Sequence, residues 1–468
     1  MWRRLAIAAA FLGAFLAATL AGATPAGANS SPTGVPLPPR PTSGGGSGGG
    51  SGGGTMDAPI TPDLPADGFT DILKQTDKQQ SDRKKRQTDA ADAIPDQICV
   101  VFQPGQPDGT ARGFAADFNL EVLGSYRMRG LNLQVVLFRV KNPAELDAVL
   151  ERAGADARPL WVQRNLRIRT LQETAGLAAA PSGTPGRQYA LARIDATALP
   201  PAADGRGVTL ALIDSGVDAG HPALRGTAIT AVDLIAGGGS PPAETHGTVM
   251  AGIIAASGPL QGIAPGVTLL ALRAFAEVDP DSGAAESTSF LLSLGVNSAL
   301  EHGARVISLS LGGPKDRLVG EAIGEALMEG AVVVAAAGNT GPEGEPVYPA
   351  AQDGVIAVTA TDAKDRLYRH ATRGSYVAVA APGVDIVAAR PGDAYGYFTG
   401  TSMATGYVAG LAAILLAQSP ALNAVTLRKT LEATAQDLGA PKKDPEFGWG
   451  RIDAVRAYAA TRQLGAAD

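Results

Sequence analysis

The chain has 468 residues, of which 45% are hydrophobic and 18% charged, and its net charge is −6. This composition can bury a sizeable core and excludes a chain that is disordered throughout. The lack of a basic excess argues against nucleic acid as the main partner. A single cysteine excludes an intrachain disulfide framework, and we expect Cys99, between two aliphatic residues, to be a small buried hydrophobe.

Residues 1–28 have the pattern of a secretory signal peptide. A positively charged start precedes the apolar run 5–20, and small residues at 26–28 allow cleavage before Asn29. A retained membrane anchor is the alternative, although the run is short for a full membrane span. The sequence therefore predicts a secreted, periplasmic or cell-envelope protein.

Residues 29–93 are rich in Gly, Ser and Pro and predict a disordered linker. Their glycine run has no strand before it and no helix after it, so it is not a phosphate-binding loop. The basic run DRKKR at 82–86 is either a solvated part of the linker or a processing site.

Residues 94–171 predict a small α/β sandwich with an order like β-α-β-β-α-β. Residues 172–187 follow as an exposed connector. The predicted strands and helices of this region are 98–105, 133–140 and 159–170 (strands) and 109–126 and 144–154 (helical spacing).

From Gln188 onward, apolar β-branched runs alternate with helical segments. This alternation predicts a parallel sheet covered by helices on both faces. In such sheets functional groups gather beyond the carboxyl ends of the strands. The residues that directly follow the predicted strands are Asp214, Ser310 to Gly313, and Asn339.

Three residues in this region suggest nucleophilic catalysis. Asp214 ends the strand VTLALID, His246 opens the helix HGTVMAGIIAA, and Ser402 opens the last large helix, in GTSMATG. Each has a structural alternative, such as a helix cap for the serine. A serine hydroxyl needs a base, imidazole suits that role, and a carboxylate fixes the imidazole tautomer. Asn339 and the backbone N–H of Ser402 can stabilise an oxyanion.

The order of these residues discriminates between folds. Asp before His before Ser is the subtilisin order, whereas an α/β-hydrolase has its histidine after the serine. No histidine follows His370, so the sequence excludes that fold. His221 and His302 are expected to have local structural roles, the first before Pro222 and the second at a helix end.

Eight motifs follow one another between about 188 and 460: DSGVDAGHPAL, HGTVMAGIIAA, GIAPGVTLLALRAF, ISLSLGG, AAAGN, YPA, APGVDI and GTSMAT. Together they resemble the subtilisin family of serine endopeptidases. The resemblance implies a subtilisin-like fold with Asp214 as orienting carboxylate, His246 as base, Asn339 as oxyanion donor and Ser402 as nucleophile. It also implies a specificity pocket built from Ser310, Leu311, Gly312, Gly313, Ala336, Ala337 and Gly338.

The segment 94–171 resembles the inhibitory propeptide of the same family. This implies a zymogen whose last propeptide strand lies in the active cleft. We expect self-cleavage after about Leu171, with Leu171 and Ile168 in apolar pockets, and a preference for an apolar residue before the cleaved bond. The expected partners are protein or peptide substrates and the chain's own propeptide, and the expected state is a monomer without a cofactor.

The chain departs from the family pattern at several positions. Gly406 stands where relatives carry Pro, which predicts a looser helix, and Val249 replaces a non-catalytic histidine. Loop 255–262 is too short for a calcium site found in many relatives. The acidic residues Asp279, Asp281 and Glu286 are either a solvated loop or a calcium site elsewhere. Two alternative functions remain: a non-catalytic binding or inhibitory protein, and a membrane-tethered processing protease.

Overall fold

A computed structural model describes residues 92–107, 109–171, 188–237, 239–280 and 282–465. The expected signal peptide, almost all of the expected linker, and the connector 172–187 lie outside the described residues. All described residues belong to one compact unit.

Residues 92–171 form an α/β module whose helices cover one face of an antiparallel sheet. The strand order is β2-β3-β1-β4. Its core lies between helices and sheet and includes Phe102, Phe114 and Phe138. The elements are β1 (Ala93–Phe102), α1 (Thr110–Asp117), β2 (Leu120–Arg127), β3 (Gln134–Val140), the 3₁₀ turn Pro143–Glu145, α2 (Leu146–Gly154) and β4 (Pro159–Thr170).

The helical pattern expected over 109–126 is wrong in its second half. The helix ends at Asp117, Asn119 turns the backbone with φ 52°, and strand β2 follows. The apolar spacing of residues 120–126 fits a helix as well as a strand. Antiparallel pairing with β3 satisfies the backbone N–H and C=O groups of this segment, and it therefore forms strand β2. The expected order β-α-β-β-α-β is nevertheless the observed one, and β1 begins one residue before the expected start of order.

The remainder of the chain alternates strands and helices. Its strands are β5 (Thr209–Asp214), β6 (Ala228–Asp233), β7 (Thr268–Arg273), β8 (Ala276–Asp279), β9 (Ala284–Thr288), β10 (Val306–Leu309), β11 (Leu311–Gly312), β12 (Val332–Ala336), β13 (Ile356–Thr361), β14 (Val377–Pro382), β15 (Ile386–Arg390) and β16 (Ala394–Phe398). Its helices are α3 (Ala190–Arg193), α4 (Thr245–Ala255), α5 (Ser289–Glu301), α6 (Arg317–Met328), α7 (Thr401–Gln418), α8 (Ala424–Thr434) and α9 (Ala454–Gly465), with 3₁₀ turns at Ala196–Ala198 and Pro222–Leu224.

Seven parallel strands form the central sheet in the order β14-β13-β12-β10-β5-β7-β6. Helices α4 and α7 pack on one face and helices α5 and α6 on the other. This is the expected parallel sheet with helices on both faces. Four of its strands follow the predicted runs, whereas β6, β13 and β14 were not singled out from the sequence.

Helix α7 is the central buried helix. Every residue from Thr401 to Leu416 is buried, and among the described residues this helix alone is long and apolar enough to cross a membrane. A Cβ atom on Gly406 would lie 2.9 Å from Ile253 Cγ2 and 3.0 Å from Met250 Cε. Gly406 therefore permits close packing of α7 against α4, and the helix continues through it without a break.

The module and the central region share strand pairing. The last residues of β4 pair antiparallel with β9 on one side, where Arg169 faces Glu286. On the other side they pair with β11, where Thr170 faces Leu311 and Arg169 faces Gly312. The two parts also share a hydrophobic core that contains Met128, Trp161 and Phe290. Strand β4 thus lies across the carboxyl end of the central sheet.

Candidate active site

Asp214 and His246 meet at the carboxyl end of the central sheet. Asp214 is the last residue of β5, and His246 is the second residue of α4. Asp214 Oδ1 lies 2.7 Å from His246 Nδ1 and also accepts the backbone N–H of Ser215 at 2.7 Å. Both side chains are buried, so this contact holds the imidazole in one orientation with Nδ1 facing the carboxylate.

Two glycines bring these elements together. A Cβ atom on Gly247 would lie 2.2 Å from the carbonyl oxygen of Ser215, and one on Gly216 would lie 1.9 Å from that of Pro242. Only glycine allows this approach of backbone to backbone. The hydroxyl of Ser215 accepts the N–H of Gly247 at 2.9 Å, which fixes the start of α4 against the end of β5.

Glu244 is a buried residue of the site that sequence reasoning missed. Its carboxylate accepts the N–H of Gly216 at 2.6 Å and two N–H groups of Arg273, each at 2.9 Å. Arg273 also contacts Asp233 at 3.2 Å. Hydrogen bonding to Glu244 raises the pKa of the Arg273 guanidinium. The pair ties the loop after Asp214 to the helix of His246, and its only sequence signal was a carboxylate directly before a predicted helix.

Ser402 is the second residue of α7, and Gly400 rather than Ser402 occupies the cap position. The Ser402 hydroxyl lies within hydrogen-bonding distance of two carbonyl oxygens, those of Leu171 and Ser310. His246 Nε2 is buried and has no hydrogen-bond partner among the described residues. The Ser402 hydroxyl therefore makes no hydrogen bond to His246 in this structure, and both of its partners are backbone carbonyl oxygens.

Asn339 follows the end of β12, and its side-chain amide contacts both the start of helix α7 and the carbonyl group of Leu171. Asn339 Oδ1 accepts the backbone N–H of Thr401 at 3.1 Å and its hydroxyl at 2.9 Å. Asn339 Nδ2 then donates to the carbonyl oxygen of Leu171 at 3.0 Å. Thr401 was not assigned a role from the sequence, although it belongs to the GTS motif. It decides which end of the Asn339 amide faces the cleft.

One of the predicted pocket residues, Gly312, lies against the Leu171 side chain. A Cβ atom on Gly312 would lie 3.0 Å from Leu171 Cδ1 and 2.1 Å from Val347 Cγ1. Gly338 has φ 120°, and its Cβ atom would lie 2.6 Å from Thr372 Oγ1. Val347 and Thr372 are therefore walls that sequence reasoning missed, and Val347 precedes the YPA motif by a single residue.

The other predicted pocket residues act mainly through their backbone. The carbonyl of Ser310 accepts the N–H of Leu171 at 3.2 Å. The carbonyl of Ala337 accepts a hydrogen bond from the Tyr376 hydroxyl at 2.7 Å, which fixes the backbone directly before Gly338. Leu311 pairs with β4, and its side chain lies in the core rather than in the pocket. A Cβ atom on Gly313 would lie 3.4 Å from the buried Ile168.

The remaining candidates have structural environments. His221 Nδ1 accepts the N–H of Ala223 and its Nε2 contacts the carbonyl of Ala394, while His302 Nδ1 contacts the carbonyl of Ser298. Cys99 is buried, and burial raises the pKa of its thiol. In the described ranges no group of three or more His, Cys, Asp or Glu could hold a metal ion; Asp281 lies outside these ranges, and Glu286 pairs with two arginines.

Comparisons with known proteins give the family and the fold that this chain is similar to. A model of the subtilase family matches residues 205–450, more than half of the chain. Subtilisin DY from Bacillus licheniformis is 39% identical over 202 residues, 42% of this chain and 71% of the relative. The minor extracellular protease Epr from Bacillus subtilis is 35% identical over 228 residues, 47% of this chain and 34% of the relative.

Among solved structures, fervidolysin from Fervidobacterium pennivorans, described as a keratinolytic enzyme related to subtilisin, matches with a TM-score of 0.64 and 25% identity. The match covers 78% of this chain and 61% of fervidolysin. The fold likeness thus extends well beyond the segment 205–450.

Proposed function

The chain belongs to the subtilase family and is a subtilisin-like serine endopeptidase, and on this premise we propose that Asp214, His246 and Ser402 form its catalytic triad. Asn339 serves as the oxyanion donor. The observation that carries this proposal is the position of the Leu171 carbonyl oxygen. It accepts a hydrogen bond from Asn339 Nδ2 at 3.0 Å and lies within hydrogen-bonding distance of the Ser402 hydroxyl.

In the proposed reaction, Ser402 Oγ adds to the carbonyl carbon while its proton passes to His246 Nε2. Asp214 stabilises the imidazolium that forms. The carbonyl oxygen becomes an oxyanion, which the Asn339 amide and the Ser402 backbone N–H stabilise. The carbon–nitrogen bond then breaks as His246 returns the proton to the leaving amine. A water molecule, deprotonated by His246, releases the acyl group and regenerates Ser402.

The pocket of Ser310, Gly312, Gly313, Ala337 and Gly338, to which Leu311 contributes only its backbone, selects an apolar residue before the cleaved bond. Support comes from the Leu171 side chain, which fits against Gly312 without room for a further carbon atom on that glycine. The substrates are protein or peptide chains, because the cleft binds an extended segment through backbone pairing on both sides.

We further propose that the chain is a zymogen, with residues 94–171 as its inhibitory domain and 188–468 as its peptidase domain. Strand β4 fills the cleft, so the peptidase is blocked until the bond after Leu171 is cut and the module leaves. The connector 172–187 starts at that bond. The proposal includes export directed by residues 1–28, a disordered linker over 29–93, and action as a monomer.

The test compares the full chain with its Ser402→Ala variant by intact mass over time, N-terminal sequencing and peptide hydrolysis. We expect only the unchanged chain to shorten, to yield a peptidase that begins at Gln172, and to hydrolyse peptides. A folded chain that neither shortens nor hydrolyses any peptide would favour the non-catalytic binding function. A mature N-terminus far from Gln172 would overturn the cleavage position alone.

A further inference from the structure

Strand β4 defines where a substrate must lie. The N–H of Leu171 donates to the carbonyl of Ser310, and the Leu171 carbonyl contacts Asn339 and Ser402. A substrate whose reacting carbonyl reaches Ser402 therefore extends along the same two strands, β9 and β11. In this register Arg169 occupies the third position and Arg167 the fifth, counting back from the cleaved bond with Leu171 as the first.

One carboxylate of the peptidase region faces both positions. Glu286, on β9, contacts Arg167 with Oε2 at 2.5 Å and Arg169 Nε with Oε1 at 3.2 Å. The side chains of Arg167 and Glu286 are only 14% and 20% exposed, whereas that of Arg169 is 50% exposed. The two oxygens of Glu286 are thus divided between two guanidinium groups on the same face of the bound strand.

We propose that Glu286 is a specificity-determining residue that makes this peptidase prefer arginine at the fifth and third positions before the cleaved bond. The inference rests on the proposed peptidase function and adds a charge requirement to the apolar first position. It assigns the preferred substrates to chains in which basic and apolar residues alternate ahead of the cut, as in RIRTL from Arg167 to Leu171.

The ion pairs are features of the cleft rather than of the module alone. Glu286 lies on β9, which the substrate strand must pair with, and it remains in the peptidase after the module leaves. Asp92 also contacts Arg169, at 2.8 Å, but it precedes the cleaved bond and would leave with the module. Basic residues of an incoming peptide that binds in this register can therefore form ion pairs with the Glu286 carboxylate.

We expect the ion pairs at the fifth and third positions to contribute differently to substrate binding. In the full chain the contact at the fifth position is mostly buried, and charge-assisted hydrogen bonds of this kind contribute about tenfold to binding. The contact at the third position is half-exposed, where screening reduces an ion pair to about two- to fivefold. Arginine should exceed lysine at the fifth position, because a guanidinium offers several donors in a fixed fork.

The experiment measures kcat/KM of the mature peptidase on a peptide with the sequence of residues 165–174, NLRIRTLQET. Companion peptides carry Gln or Glu in place of Arg167 or Arg169. For the unchanged enzyme we expect a loss of about tenfold at the fifth position and about two- to fivefold at the third with Gln, and larger losses with Glu. In Glu286→Gln these ratios should approach one, whereas in Asp353→Asn, which removes an exposed carboxylate elsewhere, they should remain.

The peptide series on the unchanged enzyme tests the inference even if Glu286→Gln does not mature. Hydrolysis of all peptides with kcat/KM values within twofold of each other would overturn the role of Glu286 and leave the peptidase function intact. Ratios that persist in Glu286→Gln would assign the preference to another residue. Hydrolysis of none of the peptides would overturn the proposed function, and the inference with it.

Discussion

At the scale of single residues, Thr401 controls the orientation of the Asn339 amide. Its backbone N–H and hydroxyl both face Asn339 Oδ1, so the amide nitrogen faces the reacting carbonyl. We expect Thr401→Val, which keeps the shape and removes the hydroxyl, to lower kcat about tenfold with little change in KM, because the donor is misplaced mainly in the transition state. Complete loss of the Asn339 donor should cost about 10²–10³-fold, the size known for this donor in subtilisin.

The matched control for this prediction is Thr405→Val in the same helix. The Thr405 hydroxyl donates to the backbone carbonyl of Thr401 at 2.9 Å, a bond inside the helix. Steady-state kinetics on a peptide with Leu before the cleaved bond should therefore separate the two variants. Equal losses of kcat in both variants, or a loss confined to KM, would contradict the role assigned to Thr401.

At the scale of elements, two glycines set how closely helix α7 packs. A Cβ atom on Gly410 would lie 2.1 Å from Ile263 Cγ2, whereas one on Gly406 would meet side-chain atoms at 2.9 Å and 3.0 Å. Either change to Ala adds about 1 kcal/mol of helix propensity. We expect Gly410→Ala to lower the free energy of unfolding by about 1–3 kcal/mol, because the core must shift, and Gly406→Ala to change it by less than about 1 kcal/mol.

Urea unfolding in the Ser402→Ala background, which prevents self-digestion, provides the measurement. Each glycine serves as the control for the other, since both lie in the interior of the same buried helix and gain the same propensity. A Gly406→Ala variant less stable than Gly410→Ala would show that the spacing between α7 and α4 tolerates less change than the contact with Ile263.

At the scale of the whole molecule, the N-terminal module is held by a loop as well as by β4. The N–H of Gly130 donates to the carboxylate of Glu325, which is 2% exposed, and the N–H of Arg129 donates to Asn297 Oδ1 at 2.9 Å. Removal of the Glu325 carboxylate takes a charged acceptor away from the N–H of Gly130, an exposed loop residue, and hydrogen bonds to charged groups contribute about 1.5–3 kcal/mol. We expect Glu325→Ala to loosen β4 in the cleft.

Hydrogen exchange of the full chain in the Ser402→Ala background measures this loosening. The amide of Leu171, which donates to Ser310, should exchange about tenfold or more faster in Glu325→Ala. Glu321→Ala is the control, because Glu321 is exposed on the same helix one turn earlier. Unchanged exchange at Leu171 in Glu325→Ala would mean that the Glu325 contact does not help to hold β4 in the cleft.

The approach of Asp214 to His246 could be predicted because it depends on local patterns. Apolar runs that end in Asp214 or precede Asn339 identify buried parallel strands, and such strands end at one edge of a sheet. The second half of 109–126 could not be predicted, because its apolar residues fit a helix and a strand alike. Only the pairing of β2 with β3, residues distant in sequence, decided between them.

By itself, the sequence determined the α/β class of the fold, the order of Asp214, His246 and Ser402 along the chain, and the edge of the sheet where Asp214 meets His246. These follow from spacing and turn chemistry between near neighbours. Only the tertiary structure decided that Thr401 orients Asn339, that Val347 walls the pocket, and that Glu286 and Glu325 face the N-terminal module. Such contacts join residues that the sequence separates, often by more than a hundred positions, and no local pattern records which side chains the packing of the core brings together.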